Sequence, residues 1–145
     1  VSPRVVVSSR LARTRYLLGF AAAVFALNFA WEMAQMPLYA TAMSIRRCLQ
    51  AAGGDLALTL LAFAAARVLV RRRALRWTSF ALLLMLAAIL VERQALSGGR
   101  WSYAASMPTL AGMGIVPLVQ LPLIAAPVVL VATRASRTPR AATPG

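Results

Sequence analysis

The sequence predicts an all-α membrane protein, a bundle of four transmembrane helices, on three observations. Its 145 residues are 61% apolar and only 13% charged, with a mean hydropathy of +0.73. The apolar residues fall in blocks near the ~20 residues that carry one helix across a bilayer. None of the blocks alternates polar and apolar residues as a half-buried strand would. A soluble domain of this length devotes about a quarter of its residues to charge. A basic nucleic-acid module would set its charge beside an ordinary core, so the formal +13 implies attraction to anionic membrane lipid and no nucleic-acid partner.

The elements follow when the chain is cut at its arginine clusters and polar turns. A basic amino-terminal flank covers 1–15, and the first span runs over about 16–36. A loop with Arg46, Arg47 and Cys48 leads to a second span over about 51–70, and a basic connection to a third over about 75–92. The fourth covers about 109–133, with Pro108 as a first-turn proline, and the polar remainder, 134–145, reads as a disordered cytoplasmic tail. The first apolar run is longer than the roughly 7 to 15 residues of a signal-peptide core. It therefore reads as a span, even though Ala40-Thr41-Ala42 resembles a cleavage site.

Orientation is read from the arginines, since all 16 basic residues are arginine. Twelve fall in the amino-terminal flank, the second connection and the tail, and four (Arg46, Arg47, Arg93, Arg100) in the other two loops. The positive-inside rule then places both termini in the cytoplasm. Arg67, about one turn inside the second span, can snorkel to the headgroups.

The available chemistry is narrow. Without histidine, there is no imidazole base and no ordinary zinc or haem ligand set. The single cysteine, Cys48, forms no internal disulfide and lies in no reactive motif. Met33 and Met36 have a spacing found in copper sites, but no His or second Cys accompanies them, so no metal site is assigned and no cofactor is named. Acid-base work falls to carboxylates.

All three acids, Glu32, Asp55 and Glu92, lie toward the outward ends of their spans in this topology. Ionisable groups within spans are costly enough to be functional candidates. Asn28, Glu32 and Gln35 form one stripe at i, i+4 and i+7 of the first helix. Gln120, between Pro117 and Pro122, is placed at the floor of a pocket, where proline-freed carbonyls can line a cavity. Trp31, Tyr39, Trp101 and Tyr103 sit at headgroup level, as an aromatic belt or as walls against which a ligand stacks. The competing structural expectation pairs the acids with the four outward arginines, with Asp55 as an early-turn acid complementing the helix dipole.

The string Asn28-x-x-Trp31-Glu32-x-x-Gln35-x-Pro37-Leu38-Tyr39, joined to Trp101-x-Tyr103 and Met107-Pro108, resembles a signature of small uncharacterised bacterial four-span inner-membrane proteins. That resemblance implies a plasma-membrane location. A second, faint similarity, of Trp101-x-Tyr103 followed by Pro117, is to membrane lycopene cyclase domains. Those carry paired acids where this chain has Leu118-Val119-Gln120, so the polyene-protonating residues are missing. Small multidrug exporters also have four spans and a first-helix glutamate, but the twelve-to-four arginine count argues against an antiparallel dimer.

Two functions follow. In the first, Glu32 is the ionisable and candidate catalytic group of an outward pocket. Asn28, Trp31, Gln35, Asp55, Glu92, Trp101, Tyr103 and Gln120 bind a cation, a polar headgroup or a lipid-soluble substrate. In the second, the bundle is a noncatalytic accessory subunit or homo-oligomer whose polar residues hydrogen-bond across helices as packing contacts. Inward convergence of the polar residues favours the first, and orientation toward lipid the second.

Overall fold

The computed structural model describes residues 3–135, so positions 136–145 of the expected tail lie outside the described residues. Four long helices dominate: α1 Pro3–Gln35, α2 Ile45–Leu69, α3 Arg73–Ser97 and α4 Ile115–Ala135. A single turn of tighter helix, Met36–Leu38, ends α1, with Pro37 supplying a fixed φ there. Three segments are long and apolar enough to cross a membrane: Leu17–Leu38, Ile45–Leu69 and Leu75–Ser97. The fourth apolar stretch, Ile115–Ala125, is shorter.

The helices pack cyclically, α1 on α2, α2 on α3, α3 on α4 and α4 back on α1, with α2 and α4 also touching across the diagonal. Small residues allow this approach: Ala52, Ala62, Ala66, Ala88, Ala95 and Ala125 are all buried. Alanine-lined contacts of this kind suit helices that associate in lipid, where packing rather than water expulsion holds them together. Many leucines face out, with Leu61, Leu69, Leu82 and Leu90 each more than half exposed. Below the polar end, Phe80, Leu84, Leu118 and Leu121 close the interior with the small residues around them.

Helix boundaries differ from the sequence expectations in ways that move the acids. Ser44 caps α2, its hydroxyl accepting the Arg47 amide at 3.3 Å, so the helix starts at Ile45 rather than near residue 51. Asp55 consequently lies in the third turn, roughly 15 Å along the axis from the first residue, and does not complement the helix dipole. α3 runs on to Ser97, which puts Glu92 inside the helix instead of at its end. α1 extends back to Pro3, through much of the expected flank.

The largest difference precedes α4. Thr109–Gly114, expected to open the fourth span behind Pro108, forms a two-stranded hairpin instead: β1 Thr109–Leu110 pairs antiparallel with β2 Met113–Gly114. Its two turn residues, Ala111 and Gly112, both have positive φ, 51° and 77°. A two-residue turn matching strand twist demands that geometry. Helix α4 then starts at Ile115, whose amide donates to the Pro108 carbonyl at 2.9 Å, with Pro117 in its first turn.

Candidate functional site

Four polar residues of α1 and α2 meet at one amide of α4. Gln120, 3% exposed, stands in the second turn of α4, where α1 and α2 both face it. Its Nε2 donates toward Asn28 Oδ1 at 3.1 Å, Glu32 Oε1 at 2.9 Å and Asp55 Oδ2 at 2.8 Å. Its Oε1 accepts from Gln35 Nε2 at 3.2 Å. The i, i+4, i+7 stripe of α1 thus turns wholly inward, and Asn28 ties itself to its own helix by donating to the Val24 carbonyl at 2.9 Å. A side-chain amide that serves two carboxylates and two other amides fixes the depth and rotation of α4 against its neighbours.

Glu92 makes a second centre. Its Oε1 accepts from the Trp101 indole at 3.2 Å and from the Tyr103 hydroxyl. The same hydroxyl accepts the Gly114 amide at 2.7 Å, which links α3 to the hairpin before α4. A Cβ on Gly114 would stand 3.0 Å from the Pro117 ring and 3.1 Å from the Met107 sulfur, so this close approach uses the absence of a side chain. Trp101 reaches Glu92 because α3 ends in a tight reversal. Gly99, at φ 62°, lets the Arg100 amide donate to Ala95 and its own to Leu96, the Schellman arrangement.

Above both centres the α1–α2 and α3–α4 connections are stitched together. The Ala40 amide donates to Ser102 and the Ala104 amide to Leu38, each at 2.9 Å, around a bridge between Tyr39 and Tyr103. The Ser102 amide donates to the Thr41 hydroxyl at 2.8 Å. Tyr39 meets the Trp101 ring edge-on at 6.1 Å and Tyr103 at 5.9 Å, so the aromatic cluster roofs the site. Burial, with the charges of Glu92, Glu32 and Asp55, raises the Tyr39 phenol above its ordinary value and keeps it protonated.

At this end of the bundle, among all four helices, lies a cavity of about 650 Å³. Glu32, Asp55, Glu92, Trp101 and Gln120 line it, and its walls are largely apolar, Leu58, Ala88, Val91 and Leu121 among them. Arg47 and Arg100, both exposed, stand at its mouth. Among the described residues no carboxylate forms an ion pair with an arginine; amides, an indole and a phenol hold all three. No three carboxylate or cysteine side chains gather closely enough to hold a metal ion, again among the described residues.

No family model, curated protein or solved structure matches the chain. The site must speak through its own chemistry.

Of the residues singled out from sequence, Asn28 and Gln35 join the cavity through Gln120, and Tyr103 joins it through Glu92. Trp31 makes none of these contacts, and its indole nitrogen is buried without a partner among the described residues. Tyr39, Arg47 and Arg100 line the cavity although the sequence assigned them to belt and loops. Arg47 had a findable signal, since it follows the Ser44 cap by three residues and so starts a helix. The Tyr39–Tyr103 bridge carries no signal that a single sequence reveals.

Proposed function

We propose that this protein is a four-span bacterial inner-membrane protein with both termini in the cytoplasm. In this reading its outward cavity binds a cation, a polar headgroup or a lipid-soluble substrate, and Glu32 performs any acid-base step. The convergence of Glu32, Asp55 and Asn28 on the Gln120 amide carries the reading. Buried carboxylates left without a cationic partner are expensive, and a bundle built only for packing would use amides or hydroxyls there. A pocket of this size with apolar walls and a few convergent polar groups is the usual form of a small-molecule site.

The inward orientation of Asn28, Glu32, Gln35 and Gln120, each at most 6% exposed, supports binding over an accessory role in which these groups face a neighbouring subunit. Gly54 provides a direct test. It lines the cavity at an exposed position, and a Cβ placed there meets nothing within 4 Å, so Gly54→Leu fits without a clash at its Cβ and should narrow the cavity. Small molecules extracted with the wild-type protein from native membranes are expected to disappear from this variant. An identical extract from both would remove the binding reading, and an unaltered host phenotype with normally expressed Glu32→Gln would remove the catalytic role.

A further inference from the structure

The Gln120 nitrogen faces more acceptors than it has hydrogens. The Gln120 amide nitrogen carries two hydrogens, and three oxygens compete for them. Gln35, 3% exposed and bonded to the same hub, has an Oε1 that accepts from nothing among the described residues. Since Glu32 and Asp55 both contact the same nitrogen, their oxygens stand within about two hydrogen-bond lengths of each other. A small cation bearing N–H groups can bridge them. At the mouth the charge reverses: Arg47 and Arg100 line the same cavity, and Tyr39 and Trp101 form the wall beside them.

Resting on the reading of this cavity as a ligand site, we propose that its ligand is a zwitterion, with a primary ammonium between Glu32 and Asp55 and a phosphate at Arg47 and Arg100. An ammonium brings three N–H donors to a donor-poor floor. A trimethylammonium brings the charge without the hydrogens. The guanidinium fork matches phosphate oxygens in pairs. The shared chemistry is that of phosphoethanolamine, carried by a diacyl lipid or free in solution.

Native mass spectrometry of the full chain in detergent tests this, with equimolar dioleoyl phosphatidylethanolamine, phosphatidylcholine and phosphatidylglycerol in one arm and free phosphoethanolamine in another. Retention of the ethanolamine lipid is expected to exceed that of the choline lipid roughly tenfold or more, the worth of one charge-assisted hydrogen bond. Asp55→Asn should erase that preference. Arg47→Gln, at an exposed position, should weaken both lipids alike and serves if the Asp55 variant fails to fold. Retention in the lipid arm assigns the ligand to the membrane, and retention in the free arm alone assigns it to solution. Equal retention of ethanolamine and choline lipids, or no retention in either arm, overturns the proposal. If lipids bind without preference and Gly54→Leu releases them, the cavity reading survives without the zwitterion; if Gly54→Leu releases nothing, both fall.

Discussion

At the residue scale the decisive feature is that one neutral amide answers for two carboxylates. Removing one partner of a buried polar contact leaves the others to bear their desolvation alone, about 1 to 3 kcal/mol per group and more for a charge. Gln120→Leu keeps the volume roughly constant but strips Asn28, Glu32, Asp55 and Gln35 of their common partner. We expect a loss of about 3 kcal/mol or more, read as a lower melting temperature in detergent. Replacing Gln120, Glu32 and Asp55 together by apolar residues should recover part of that loss, because no stranded carboxylate then remains and only the Asn28 and Gln35 amides lack their partner. A triple variant as unstable as Gln120→Leu would mean that the hub contributes by shape alone. The hub was partly legible in the sequence: the stripe of α1 and the prolines around Gln120 pointed inward. Its donor count was not, because hydrogen bonding between helices depends on rotation angles that a single sequence leaves free.

Elements position the site through two backbone devices. The Schellman reversal at Gly99 swings Trp101 back onto Glu92, and Gly99→Ala should cost about 1 to 2 kcal/mol for placing a Cβ in the left-handed region. The converse case is Ala111, a residue with a Cβ at φ 51° in the hairpin turn before α4. Ala111→Gly is expected to raise stability by up to about 1 kcal/mol, measured by the same thermal melt, whereas a drop would show that the turn is held for another reason. This hairpin is also where sequence reasoning misplaced an element. Leu110 and Met113 read as the apolar start of a span, and Ala111 gives no hint of positive φ, so Pro108 reads as the opening of the helix. The three other helices were legible because long apolar blocks admit few alternatives in a bilayer. Their ends were less so, since the cap at Ser44 competes with the more conspicuous arginines beside it.

For the whole molecule, the exposed leucines and buried alanines put the apolar surface outside and the polar residues inside, the arrangement expected where lipid is the solvent. The proposed sidedness can be tested with single cysteines in a Cys48→Ser background. Ser106→Cys, exposed in the loop before the hairpin, is expected to react with a membrane-impermeant maleimide added to intact cells. Arg72→Cys, exposed between α2 and α3, should react only after the membrane is opened. The reverse pattern would turn the bundle over and put the cavity on the cytoplasmic side.

The residue that completes the hub belongs to the last helix. Synthesis runs from the amino terminus, so Glu32 and Asp55 both precede Gln120 and must wait for it. A nascent chain with three helices inserted therefore holds carboxylates that no amide yet serves, and arrival of α4 ends that interval. Assembly of the bundle and the proposed recognition of a ligand thus share one requirement, and a chain truncated before Ile115 would keep its three long apolar helices but lose the amide on which Glu32 and Asp55 converge.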